Sequence, residues 1–211
     1  MIWFIIATLV AFFIKGLCGF ANTLIFNGIL SYTANNINIS PLEVVLGYPS
    51  NIILVWKERK SLNWKIWLPL TALVVAGSIP GIFLLKHTDA GLLKVIFGIA
   101  VIVIGVEMLF REMKSNRESS NRKPGGSKLV LVLIGMISGL LCGLYGVGAL
   151  LAAYVSRVAE NSHEFKANIC VVFVVENTIR IILYAATGIL TLAVLRQVVI
   201  LIPFMLTAVF L

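Results

Sequence analysis

One glycine motif occurs twice in this sequence. Residues 16–20 read Gly-Leu-Cys-Gly-Phe, and residues 143–147 read Gly-Leu-Tyr-Gly-Val, 127 positions later. A second pair follows at a similar offset, where Ser-Asn-Ile-Ile at 50–53 is matched by Glu-Asn-Thr-Ile at 176–179. Internal repeats of this kind predict a protein of two related halves. Apolar segments broken by glycines at corresponding places in two halves are typical of secondary transporters.

The composition indicates a membrane protein. Hydrophobic residues make up 60% of the 211 residues and charged residues only 12%, which is far from a soluble domain. The net charge of +8 could indicate a nucleic-acid partner, but the Lys and Arg residues lie in short loops between apolar runs. We therefore expect a lipid bilayer and no nucleic acid as the surroundings. The three cysteines have no metal-binding spacing, so neither a metal nor a cofactor is predicted.

The lengths of the apolar runs predict the membrane segments. A helix needs about 20 apolar residues to cross the hydrocarbon core of a bilayer. The runs 2–15 and 23–33 are each too short, and together they suit a re-entrant hairpin of two half-helices. The first repeat, 1–110, then consists of a hairpin at 2–33 and crossings at 42–56, 66–86 and 91–110. The second repeat, 129–211, consists of a hairpin at 129–157 and crossings at 167–186 and 195–211.

The predicted fold is thus an all-α integral membrane protein with two inverted repeats, each a re-entrant half-helix hairpin followed by transmembrane helices. The polar segment 111–128 is the linker between the repeats. By comparison with the first repeat, the second lacks its last helix. We expect the chain to be either a fragment or a natural variant without that helix.

The distribution of basic residues predicts the orientation. With both hairpins re-entrant, the loops near 57–65, 111–128 and 157–166 share one face and hold twelve of the 17 Lys and Arg residues. The opposite face holds Lys86, Lys94 and Arg196. The positive-inside rule then places the linker in the cytoplasm.

The glycine breaks are the first candidate site. Unwound backbone at membrane depth is tolerated only where it lines a cavity or is buried in protein. The half-helices that follow such breaks direct free N–H groups and a positive dipole end at them, which suits an anion. The candidate substrate-binding residues here are Gly16, Gly19, Asn22, Gly143, Gly146 and Gly148. Lys15, at the first hairpin tip, is equally compatible with a snorkelling surface lysine.

Polar residues inside the crossings are the second candidate site. Glu176 and Arg180 lie four residues apart on one predicted helix face, where they can pair. Charges at membrane depth are costly and should face the interior of the bundle. Arg180 and the matched Asn51 and Asn177 are candidate substrate ligands, and Glu176 is the candidate ion-coupling residue. A structural ion pair is the competing interpretation of Glu176 and Arg180.

At these motifs the chain resembles the sulfite exporter TauE/SafE family of bacterial membrane transporters. Members carry two copies of a pattern like small-Gly-Leu-x-Gly-Phe/Ile-Gly-Gly-Gly, and the copies here begin at Gly16 and Gly143. The resemblance implies an inner-membrane permease that moves a small anion, such as sulfite, a sulfonate or a related organic acid, by alternating access. It also implies coupling to an ion gradient, of protons or sodium.

The competing function is a non-transporting membrane subunit or scaffold that retains the fold. An enzyme is not expected, because the sequence has no nucleotide-binding motif and no Ser/His/Asp arrangement, and no base accompanies any cysteine. The identity of the substrate, the direction of transport and homo-oligomerisation are left open by the sequence.

Overall fold

A computed structural model describes residues 2–30, 36–89 and 148–211, with single residues and short runs between 91 and 106 and between 136 and 142. These residues form helices, and no strand occurs among them. The seven helices named below are α1 (Ile2–Cys18), α2 (Asn22–Leu30), α3 (Asn36–Glu58), α4 (Trp64–His87), α5 (Ala149–Val158), α6 (Ser162–Ala186) and α7 (Leu192–Phe210). A short 3-10 turn, Arg59–Ser61, follows α3.

Side-chain caps define where three of these helices begin. The side chain of Asn63 accepts from the N–H of Lys65 at the start of α4. Asn161 and Thr191 cap α6 and α7 in the same way. Such caps satisfy N–H groups that have no acceptor within the helix. The caps mark where these long apolar helices begin, which hydrophobic composition alone would not locate.

Polarity across the described helices is that of a membrane protein. Four of the helices, α3, α4, α6 and α7, are long and apolar enough to cross a membrane, while α1 is shorter. Large apolar side chains such as Trp3, Val199 and Phe210 lie on the outside. Several charged side chains are instead buried inside, among them Lys15 and Arg180. An apolar exterior around a charged interior is favourable in lipid and unfavourable in water.

Helices α3 and α6 form the centre of the described structure. They pack against each other along their length, and the Thr178 hydroxyl on α6 donates to the Tyr48 hydroxyl on α3 at 3.2 Å. Helix α4 packs on α6, whereas α1 packs on α2 and α7. Phe12, Phe26 and Met205 belong to one apolar cluster that holds α1, α2, α3 and α7 together. Polar groups of α3 and α6 are therefore enclosed by apolar layers.

The chain breaks its helical path between α1 and α2. Gly19 and Ala21 both have positive φ, 83° and 74°, so the backbone enters the left-handed region on either side of Phe20. Glycine adopts this conformation without steric cost, while a residue with a Cβ is rarely found there. The break spans only residues 19–21, because Gly16 lies within α1 and Asn22 is the first residue of α2.

The all-helical membrane class predicted from the sequence is confirmed for the described residues. The inverted repeats and re-entrant hairpins stay predictions. The linker 111–128 lies outside the described residues, as do most of the crossing predicted at 91–110 and the first part of the hairpin at 129–157. Helix α3 begins six residues before the crossing predicted at 42–56, and the polar side chains of Ser40 and Glu43 in its first half are buried.

Candidate functional site

A small cavity lies where the break between α1 and α2 meets α3, α6 and the start of α5. The residues that line it include Lys15, Asn22, Thr23, Glu43, Asn51, Gly148 and Asn177. Its volume of about 20 Å³ has room for one or two water molecules. The two asparagines matched by the internal repeat, Asn51 and Asn177, thus line one cavity from α3 and α6.

The N-termini of two helices, α2 and α5, lie at this cavity. Helix α2 begins at Asn22, and its residues 22–24 line the cavity. The N-cap residue of α5 is Gly148, which also lines the cavity. The first N–H groups of a helix have no acceptor within it, and its dipole makes this end positive. Two such ends at one buried point form an environment that favours a negative charge.

Lys15 adds a full positive charge to the same place. Its side chain is 1% exposed, so it does not reach the lipid surface as a snorkelling lysine would. The ammonium lies 5.7 Å from the centre of the Phe12 ring. Sequence alone could not distinguish an inward from an outward lysine at this position, because the choice depends on which face of α1 contacts α2.

Glu43 is a cavity residue that the sequence analysis missed. Its Oε1 accepts hydrogen bonds from Asn22 Nδ2 at 2.5 Å and from Thr23 Oγ1 at 2.7 Å. Its side chain is 2% exposed. The residue was placed at the edge of a crossing predicted to begin at 42, where an acid would be solvated. Glu43 could have been found if the helix had been predicted to begin at Asn36, because Glu43 then lies two turns from the start of the helix and inside the protein.

Asn51 presents an unpartnered polar atom. Its side chain is 1% exposed, and its Oδ1 has no hydrogen-bond partner within the described part of the protein. Buried polar atoms are nearly always hydrogen-bonded, so an exception at a cavity indicates a place for a ligand or water. Asn177 lines the same cavity and is also buried.

Glu176 and Arg180 form a separate buried group on α6. Arg180 Nε lies 3.6 Å from Glu176 Oε1, and neither of these two atoms has a hydrogen-bond partner among the described residues. Arg180 Nη2 donates to the Tyr184 hydroxyl at 2.9 Å. Neither Glu176 nor Arg180 is among the residues that line the cavity. The structure thus pairs the two charges outside the lining of the cavity, although Arg180 still acts electrostatically on Glu43.

The predicted glycines occupy different surroundings. A Cβ added at Gly16 would lie 2.8 Å from the carbonyl oxygen of Val209, so this residue allows α1 to approach α7 rather than lining the cavity. A Cβ at Gly19 would meet the Lys166 side chain at 2.9 Å, and one at Gly148 would overlap the Phe173 ring. Gly143 and Gly146 lie outside the described residues.

The comparison with known families identifies the family of this protein. The family described as sulfite exporter TauE/SafE matches residues 4–211. This chain belongs to the TauE/SafE family. The family consists of membrane transporters rather than enzymes, so this is a multi-pass membrane protein of a transporter family. No curated protein and no solved structure matches the chain.

Within this TauE/SafE protein, the described residues contain no group of three His, Cys, Asp or Glu side chains that could hold a metal ion. The cavity instead combines a lysine, three amide side chains and two helix ends. Lys15 is a cation, and the amide groups and helix ends can donate hydrogen bonds, whereas Glu43 is an acid.

Proposed function

We propose that this protein is a secondary transporter that moves a small anion, such as sulfite, a sulfonate or a related organic acid, across the bacterial inner membrane. The observation that carries the proposal is the convergence of Lys15 with the N-termini of α2 and α5 at one buried cavity. Membership of the TauE/SafE family supports the same class of substrate.

In this proposal the anion binds between the two halves of the protein. Lys15 supplies the opposite charge, and Asn22, Asn51 and Asn177 donate hydrogen bonds from α2, α3 and α6. The unpartnered Oδ1 of Asn51 is an acceptor, so it supports a water molecule that accompanies the anion at this point. Because the cavity holds only one or two waters, side chains such as Phe173 must move to admit a polyatomic anion.

Alternating access follows from the same arrangement. Two inverted repeats, each contributing one helix N-terminus and one asparagine, would expose the anion to one face and then to the other as the halves rock. The linker 111–128 would lie in the cytoplasm. Gly19 and Gly148 would keep the backbone close to the anion, while Gly143 and Gly146 would have the equivalent role in the second break.

The test is anion exchange in liposomes that contain the purified protein. Vesicles loaded with unlabelled sulfite or methanesulfonate should accumulate the labelled form of the same anion in a saturable manner. Lys15→Gln should weaken the apparent affinity by roughly 10- to 100-fold, because a hydrogen bond to a charged group contributes about 1.5–3 kcal/mol. The matched control is Lys65→Gln, which removes the same charge from an exposed position.

Wild-type vesicles that exchange neither anion would contradict the transport function. They would instead favour a membrane subunit that retains the fold without transport. Equal affinity in Lys15→Gln and Lys65→Gln would leave transport intact but would remove Lys15 from the anion site.

A further inference from the structure

The Glu43 carboxylate occupies the donors that an anion would use. Asn22 and Thr23, the first two residues of α2, both direct their side-chain hydrogens to one oxygen of this carboxylate. Glu43 also lines the cavity beside Lys15 and lies within electrostatic range of it. An ionised Glu43 therefore repels an incoming anion and competes with it for the same hydrogen bonds. Protonation of Glu43 would remove the repulsion and release the donors.

The charges around Glu43 make this competition strong. The titratable groups that act on Glu43 are Lys15 from α1, Glu176, Arg180 and Tyr184 from α6, and Cys142. The four residues that are charged in their usual states, Glu43 included, sum to zero. One bound anion leaves a net negative charge in an enclosure with little water, where uncompensated charge is costly. One proton taken up by Glu43 restores neutrality.

We propose that Glu43 carries the coupling proton, so that one proton crosses with each singly charged anion. This inference rests on the transport function proposed above. A proton from water on the open side binds a carboxylate oxygen of Glu43, the anion takes the donors thus released, and both leave on the other side. Glu43 then returns ionised, bonded to Asn22 and Thr23. Arg180 acts on both carboxylates, but it lies directly beside Glu176, at 3.6 Å, and Glu176 does not line the cavity.

Binding linkage gives the first measurable consequence. If anion and proton must bind together, the apparent affinity for a permanently charged anion falls about tenfold for each pH unit above the range in which Glu43 is protonated. In Glu43→Gln the side chain is permanently neutral, so it neither repels the anion nor takes up a proton. Whatever rate of methanesulfonate exchange this variant retains should therefore no longer depend on pH.

The second consequence is a loss of proton movement. An anion gradient imposed on wild-type vesicles, with the membrane potential clamped by potassium and an ionophore, should drive protons in the same direction, reported by an internal pH dye. Whatever anion exchange Glu43→Gln retains should no longer be accompanied by this proton flux. The matched control, Glu58→Gln, removes the same charge from the far end of α3 and should keep it. The anion used is whichever of sulfite and methanesulfonate exchanges in wild-type vesicles.

The outcomes separate the two proposals. If wild-type vesicles exchange neither anion, transport itself fails and the coupling role falls with it. If wild-type vesicles exchange and Glu43→Gln still moves protons, or if sodium moves instead of protons, only the coupling role is overturned. Should Glu43→Gln fail to fold or to exchange the anion, Glu43→Asp is the second variant, because it keeps an ionisable group on a shorter side chain. Its exchange must show a shifted pH profile, and an unshifted profile overturns the proposal.

Discussion

The buried pair of Glu176 and Arg180 gives the sharpest prediction about stability. Both side chains are almost completely buried, and their nearest charged atoms lie 3.6 Å apart. Arg180→Gln would leave the Glu176 carboxylate without its counter-charge. Removal of one partner of a buried pair costs about 3–5 kcal/mol. For a chain of this length, that corresponds to a fall in the unfolding temperature of about 6–20 °C.

Buried thiols provide the assay. Cys142 and Cys170 are buried, whereas Cys18 is exposed. In a Cys18→Ser background, a thiol-reactive fluorescent dye therefore reports unfolding in detergent as the two buried cysteines become accessible. We expect Arg180→Gln to unfold well below the background protein.

The double variant Glu176→Gln with Arg180→Gln decides what the pair does. It removes both charges, and replacing a whole buried ion pair is often neutral for stability. Because neither residue lines the cavity, we expect it to recover both the unfolding temperature and anion exchange. If Arg180 binds the anion, stability returns but exchange does not. A double variant as unstable as Arg180→Gln alone would refute the ion-pair reasoning altogether.

Two further predictions concern the second helix N-terminus and the topology. Gly148→Ala should destabilise the protein by about 1–3 kcal/mol in the same thiol assay, because the added methyl overlaps the Phe173 ring. Adding Phe173→Leu should recover most of this loss, and unchanged stability of Gly148→Ala would contradict the close contact. Cysteines introduced at Asn36 and at Lys60 should react with a membrane-impermeant reagent from opposite faces of the membrane. A cysteine at residue 2 should react from the same face as the one at Asn36, and labelling of these two from different faces would exclude a re-entrant hairpin.

The helical membrane class was predictable from the sequence because hydropathy reports it directly. A lipid environment requires every spanning segment to satisfy its own backbone, so long apolar runs become helices. The internal repeat also brought Asn51 and Asn177 to attention, and both line the same cavity. Their matched positions in two related halves carried that information without any knowledge of packing.

The cavity's charged residues were not predictable in the same way. Lys15 and Glu43 lie near the ends of apolar runs, where sequence allows either a solvated or a buried side chain. Their burial depends on the docking of α2 between α1 and α3, which is a tertiary contact. For Gly16 the glycine motif predicted a helix break, but the residue lies within α1, where the absence of a side chain lets α1 approach α7 closely.

Four of the buried charged residues, Lys15, Glu43, Glu176 and Arg180, differ in what they can respond to. Arg180 has Glu176 and the Tyr184 hydroxyl as neighbours on the same helix, so helix geometry holds this group together whatever the cavity contains. Lys15 and Glu43 come from different helices and meet only at the cavity. A ligand or proton in the cavity can alter their interaction without unfolding a helix, whereas neither residue of the first pair lines the cavity. Charge that responds to an anion is therefore expected at Lys15 and Glu43, even though Glu176 and Arg180 stand out more clearly in the sequence.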